Sequence, residues 1–355
     1  MASIKVSSTP DGLKDLHGRG MNIHSDVYKL PVDTEEHDVS GFNVILRLTI
    51  QHRIWKLMFG GSGLYPLEVE EIVARLLVPE SHNGGASNGP SVLDLGSGSG
   101  IWAAEMAMMY PHAKIIGLDL AEPKLDFVTA DATKGLENYT ESFEVVHCRC
   151  VAGHVVDRTE LMRMISTVLK PGGLLLLADG NVHVYMPDGF PIPAADGAES
   201  SATAGSWLSR WLKEAVGRML SSTIHPEKAG GDHLEWHLKN EPALEFLDKR
   251  VYFSPVRWHS PTDTAAVPNV QDERGQQMAQ LVERNMHFFL MSSKPVLLSS
   301  EISNDVIEDW QRRATAEILE PPASFPMGIE YDVAKVTQPL AKRSIWVSGG
   351  SCKDT

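Results

Sequence analysis

The residues best placed to do chemistry lie in one short stretch, Val92-Leu-Asp-Leu-Gly-Ser-Gly-Ser-Gly-Ile-Trp102. An apolar run passes there through alternating glycines into a helical pattern. Glycine has no Cβ, so the backbone at Gly96, Gly98 and Gly100 can approach a ligand closely. The helix start beyond them offers free N–H groups and the positive end of a dipole, which makes this a nucleotide-binding arrangement. Asp119 closes the next strand, nineteen residues past Gly100, where a carboxylate can accept from both ribose hydroxyls. A dinucleotide fingerprint needs a glycine three residues after Gly98, and that position is Ile101. Asp94 would repel a pyrophosphate but suits a ligand with a cationic amino-acid part. A nicotinamide-dependent oxidoreductase is disfavoured on both counts.

The elements that position these residues follow from periodicity. Short apolar runs alternate with helical segments from residue 91 onward, the pattern of strands and helices around a parallel sheet. Strands are predicted over 91–95, 114–120, 125–129, 143–150 and 173–179, and two more over 250–256 and 344–347. Helices are predicted over 40–59, 66–77, 101–110, 159–169, 207–220, 271–291 and 303–319. Residues 1–27 are polar and aperiodic and are expected to form a flexible tail. Residues 28–80 read as an N-terminal helical region, 91–180 as the ligand-binding core, 181–349 as helical inserts with the last two strands, and 350–355 as a C-terminal tail.

On Leu93-Asp-Leu-Gly-Ser-Gly-Ser-Gly100, Asp119, Ala130-Asp-Ala132, Phe143-Glu-Val-Val-His-Cys-Arg-Cys150 and Leu169-Lys-Pro-Gly-Gly173, the chain resembles the class I S-adenosylmethionine-dependent methyltransferases. The resemblance implies an α/β, Rossmann-like fold with a seven-stranded, mostly parallel sheet, helices on both faces, an N-terminal helical lid and helical inserts. It implies S-adenosylmethionine as cofactor and S-adenosylhomocysteine as product. Asp94, Gly96, Ser97, Gly98 and Gly100 would then surround the methionine part, Asp119 the ribose, and Asp131 and Ala132 the adenine, with Leu120 a further cofactor contact. Cys150, at the end of the fourth strand, would be a further cofactor contact. Arg149 beside it is read evenly as a cofactor contact or a structural charge pair. Gly98-Ser-Gly-Ile-Trp-Ala103, Tyr28-Lys-Leu-Pro-Val-Asp33 and Ile50-Gln-His52 are similar to a fungal, LaeA-like branch, which adds Trp102 to the cofactor set and makes Tyr28 and Gln51 lid contacts. The chain departs from the branch pattern at 121–126, which is short, and at His154.

Methyl transfer from a sulfonium needs alignment more than a nucleophilic residue. An oxygen acceptor still benefits from a base, for which histidine is suited near neutral pH. Ligands in such sheets lie beyond the carboxyl ends of the central strands, so His154 is the first candidate base and His183, after the fifth strand, the second. The alternative for either is an ordinary loop histidine. Trp207, Trp211, Met286 and Phe289 are candidates for an acceptor wall, with core packing as the competing assignment. His233 and His237 stand four apart without a third ligand or the protease glutamate, so no metal is expected, and a helix start with Trp236 packed inward is preferred.

Composition narrows the partners. Thirty-two basic against 46 acidic residues leave a net charge of −14, with no basic patch, which argues against nucleic acid. Three cysteines are too few for a disulfide framework, and no secretory, transmembrane or lipidation signal is legible, so a cytoplasmic protein is expected. Two functions are consistent with all this. One is an enzyme that methylates a small fungal secondary metabolite, at oxygen. The other is a LaeA-like regulator working through protein partners, for which a nuclear location is also open.

Overall fold

The computed structural model describes residues 13–16, 19–22, 29–30, 44–79, 89–119, 128–129, 136–185, 190–196, 205–224, 233–256, 273–320 and 328–337. In chain order the elements are β1 (Leu13–Leu16), β2 (Arg19–Asn22), α1 (Val44–Phe59), α2 (Glu70–Leu76), β3 (Ser91–Leu95), α3 (Ile101–Met109), β4 (Lys114–Asp119), β5 (Val128–Thr129), β6 (Phe143–Arg149), α4 (Arg158–Val168), β7 (Leu169–Tyr185), α5 (Trp207–Leu220), α6 (Leu234–Lys239), β8 (Glu245–Pro255), α7 (Glu273–Leu298), α8 (Asn304–Leu319) and β9 (Gly328–Thr337). The chain divides into two compact units. One comprises Leu64–Asp179, Gly231–Arg250 and Asp332–Thr355, the other Met1–Gly63, Gly180–Gly230 and Val251–Tyr331. Strands β7, β8 and β9 each pass from one unit into the other.

The sheet has the order β5-β4-β3-β6-β7-β9-β8 among the described residues. Strands β5, β4, β3, β6 and β7 pair in parallel. Alternate side chains of a strand point to opposite faces, and here that alternation builds two cores. Val92, Val145, Leu174 and Leu176 pack with Leu64, Tyr65, Val73, Trp102 and Met106. Leu93, Leu95, Val146, Cys148, Leu175 and Leu177 pack on the other side with Leu161, Ile165, Leu234 and Leu238. Burial on both faces explains why β3, β6 and the start of β7 read as nearly continuous apolar runs. Asp157 starts α4 by accepting from the Glu160 N–H at 3.1 Å, while α3 begins after Gly100 at φ 73°.

The other unit is mainly helical. Its α1 packs on α7, and α5, α7 and α8 pack on one another. Ser206 caps α5 by accepting from the Ser209 N–H at 3.1 Å. Glu317 of α8 also reaches the start of α5, accepting from Ser206 Oγ at 2.7 Å, Trp207 N at 2.8 Å and Leu208 N at 3.0 Å.

Several expectations are corrected. Part of the expected tail is an antiparallel ribbon, with Leu13 opposite Asn22 and Leu16 opposite Arg19. The expected N-terminal helical region is divided: α1 belongs to the helical unit, whereas α2 lies in the sheet unit and contributes Val73 to its core. Helix α7 runs seven residues past Met291, through Pro295, to Leu298. Strand β7 begins at Leu169 and takes up Lys170–Gly173 as an irregularity opposite Phe143 to Val145. Strand β8 starts at Glu245, and a strand not foreseen lies at Gly328–Thr337, while the one expected at 344–347 is outside the described residues. Trp236 is 37% exposed, and its neighbour His237, 2% exposed, is the side chain packed inward. Among the described residues no helix is long and apolar enough to cross a membrane.

Candidate functional site

The glycine loop is tied to the end of β4. Gly96 N and Ser97 N both donate to Leu118 O, at 2.7 and 3.1 Å, and Gly98 N donates to Asp119 Oδ2 at 2.7 Å. Gly96, Gly98 and Gly100 all have φ between 55° and 74°, the left-handed region that favours glycine. Gly96 is required on a second ground, since a Cβ there would lie 2.1 Å from Val151 Cγ2.

Under the loop lies a cluster that parallel pairing assembles. The register of β3 and β6 sets Asp94 opposite His147, and His147 Nδ1 lies 2.7 Å from Asp94 Oδ1. A carboxylate only accepts, so the imidazole donates from Nδ1. His147 also stacks on Trp102, centroids 3.8 Å apart and planes 6° from parallel, and the indole Nε1–H donates to Leu64 O at 2.7 Å. Burial holds the imidazole below its ordinary pKa, the Asp94 hydrogen bond opposing and Arg149 assisting. Asp94 is 2% exposed, and its Oδ2 has no hydrogen-bond partner among the described residues; Ser97 Oγ is likewise buried and unpartnered. Burying an unpaired carboxylate oxygen is costly. A buried acceptor beside a left-handed glycine loop fits a cofactor whose amino-acid part carries an ammonium.

Strand β6 ends at Arg149. Burial lowers the Arg149 guanidinium, with Cys150, Asp94 and Glu105 opposing. Cys150 has φ 57° and donates its N–H to Ala178 O at 2.8 Å. This left-handed residue turns the chain into the short helical turn Ala152–His154, whose Gly153 N donates to Asp179 Oδ2 at 3.2 Å. His154 ends that turn. Cys148 is fully buried, and burial pushes its thiol well up, as packing rather than reactivity requires. Arg158, 2% exposed, has no hydrogen bond from its guanidinium among the described residues, and Asp179 supplies the opposing charge that its burial calls for.

One compact unit therefore brings together Asp94, Gly96, Ser97, Gly98, Gly100, Trp102, Asp119, Arg149, Cys150 and His154. Trp102 serves it from behind, through His147. The other candidates among the described residues lie in the helical unit. His183 is exposed on β7, edge-on to Tyr185, and Gln51 is half-buried on α1. Trp211 is sealed, its indole N–H on Ser293 Oγ at 2.8 Å, which makes it a packing residue. Trp207, 4% exposed, lies under the Arg313 guanidinium, Met286 is 7% exposed and Phe289 is half-buried. Tyr28, Leu120, Asp131 and Ala132 are outside the described residues. His147 was missed by sequence reasoning, because a histidine within an apolar strand gives no local sign of the strand it will pair with. No group of three potential metal ligands occurs among the described residues. His237 instead lies 3.4 Å from Thr159 Oγ1 through Nδ1.

The chain is similar to known proteins over most of its length. The profile of the Methyltransferase domain family matches residues 65–294. The secondary metabolism regulator laeA of Coprinopsis cinerea is 26% identical over 310 residues, covering 84% of this chain and 67% of that protein. Methyltransferase pytC of Aspergillus terreus is 28% identical over 194 residues, 52% of each chain, so the chain spans about half the length of that relative. Among solved structures, phosphoethanolamine N-methyltransferase 2 of Haemonchus contortus in complex with S-adenosyl-L-methionine is 17% identical with a TM-score of 0.37, covering 82% of this chain and 57% of that one. The glycine loop and the acidic residues around it thus fall within the matched domain, and the chain belongs to the Methyltransferase domain family.

Proposed function

We propose that the protein transfers the methyl group of S-adenosylmethionine to an oxygen of a small fungal secondary metabolite. The observation that carries the cofactor assignment is Asp94, a buried carboxylate with one oxygen held by His147 and the other without a hydrogen-bond partner among the described residues, beside the left-handed glycine loop. Asp94 and the loop would hold the amino-acid part, and Asp119, already set by Gly98 N, the ribose. Asp131 and Ala132 are assigned to the adenine, and Leu120, Arg149 and Cys150 to the rim of the site, on resemblance. When bound, the cofactor supplies an activated methyl that an acceptor oxygen takes by in-line displacement, the C–S electron pair returning to sulfur. His154 is assigned the acceptor's hydroxyl proton, with His183 second. Met286, Phe289 and Trp207 are assigned to the acceptor wall, and Tyr28 and Gln51 to a cover over the cofactor.

Incubation of the purified protein with methyl-labelled S-adenosylmethionine and a fungal small-molecule extract tests this. Label in a discrete small compound is expected. A second reading is favoured by the laeA relative, whose similarity covers 84% of this chain: a regulatory protein acting through protein partners. Label on protein alone, or none despite measured cofactor binding, would select it.

A further inference from the structure

We infer that His147 is a positioning residue for cofactor binding: its imidazole, clamped between Trp102 and Asp94, fixes one oxygen of Asp94 and so leaves the other to receive the cofactor's ammonium group. The inference rests on the proposed cofactor site and deepens it.

The geometry has three parts. The β3–β6 register places the two residues as direct neighbours, so the 2.7 Å Nδ1–Oδ1 hydrogen bond is imposed by the sheet rather than by a flexible loop. The stack on Trp102 at 3.8 Å fixes the plane of the ring, and the indole is itself held by Leu64 O. His147 is 4% exposed and Asp94 2%, so water does not compete for the bond. A carboxylate with one oxygen tied in this way holds the other in a fixed direction, where no described residue hydrogen-bonds to it. That preorganisation lowers the reorganisation needed when a cation binds.

The arrangement also sets a pH dependence. Asp94 faces the ring from β3, Arg149 acts from β6, and Trp102 of α3 covers one face without charge. With a neutral imidazole, Asp94 keeps its full negative charge for the cofactor. Once His147 takes a proton, the imidazolium neutralises Asp94 and repels the ammonium, so affinity falls. Burial places that loss on the acid side of the ordinary histidine value of 6.5.

The test is calorimetric binding of S-adenosylhomocysteine. His147→Phe keeps a ring on Trp102 and removes the donor, whereas His147→Asn keeps a donor near the Nδ1 position and removes the ring. His147→Phe is expected to weaken binding by roughly tenfold or more, as losing a hydrogen bond to a charged group does. His147→Asn should recover most of it, within about threefold of the original protein, and should abolish the acid-side fall in affinity. In turnover assays His147→Phe should raise KM for the cofactor while kcat at saturation stays within about twofold. Equal losses in both variants would overturn the inference, as would unchanged binding in His147→Phe. Should His147→Phe fail to fold, His147→Asn still decides: a tenfold or greater loss of affinity in that variant, which keeps the donor, would overturn it. No binding to the unmodified protein at any pH would instead remove the cofactor site itself.

Discussion

Asp94 and Glu317 are both buried carboxylates, 2% and 7% exposed, and their partners could hardly differ more. Glu317, in the helical unit, accepts from Ser206 Oγ, Trp207 N and Leu208 N, so both its oxygens are used and three donors at the start of α5 are satisfied. Asp94, in the sheet unit, accepts one hydrogen bond from His147 and leaves Oδ2 with no partner among the described residues. A negative charge at a helix N-terminus with full hydrogen bonding is a structural solution. A half-satisfied buried carboxylate beside a glycine loop is a poor structural solution and a good ligand site. The difference separates the side chains that hold this protein together from those reserved for chemistry.

Glu317→Ala should break the structural half of the comparison. It strands Ser206 Oγ and two backbone N–H groups at once, and a loss of about 3 kcal/mol or more in urea unfolding is expected. A loss under about 1 kcal/mol would mean that the cap is replaceable.

His154→Ala probes the chemical half. If His154 removes the acceptor proton, turnover should fall on the order of a hundredfold with cofactor affinity intact. Normal turnover would pass the role to His183 or to no residue. Asp119→Ala should weaken S-adenosylmethionine binding by about 1.5–3 kcal/mol, through lost hydrogen bonds to a charged group and a released Gly98 N–H. Equilibrium titration checks this, and unchanged affinity would take Asp119 out of the site.

The smaller effects sharpen the contrast. Because burial lowers the His147 pKa, the unfolded chain binds its proton at a higher pH than the folded one does. The contribution of His147 to stability is therefore complete above about pH 6.5 and is lost as pH falls below it. Unfolding of the unmodified protein and of His147→Asn across pH 5 to 7.5 should diverge in that direction. Trp211→Phe removes one hydrogen bond while Ser293 Oγ keeps its own bond to Phe289 O, so a cost of about 1 kcal/mol is expected, with no change in cofactor affinity.

Legibility in the sequence varied with the range of the interactions involved. Glycines 96, 98 and 100 act through their own backbone conformation, and the strand, turn and helix around them are contiguous, so motif and geometry coincide. Strand β9 alternates Ile329, Tyr331 and Val333 with Glu330 and Asp332, a strand pattern that was not read as one. Strand β8 was expected to start only at Arg250, because Asp248 and Lys249 interrupt the apolar pattern before it; Arg250 bonds to Asp248 at 3.2 Å there. Trp236 was expected to pack inward at a helix start, whereas its neighbour His237 is the residue that α6 presents to α4.

By itself the sequence determined the parallel sheet, the glycine loop, the acidic positions at the ends of β3 and β4, and the family, since each depends on neighbours along the chain or on strand periodicity. Only the tertiary structure decided that Asp94 meets His147, fifty-three residues away, under Trp102, and that Glu317 caps a helix more than a hundred residues before it. Strand register and helix packing choose such pairs, and both depend on how whole faces fit together, a property that no local run of residues carries.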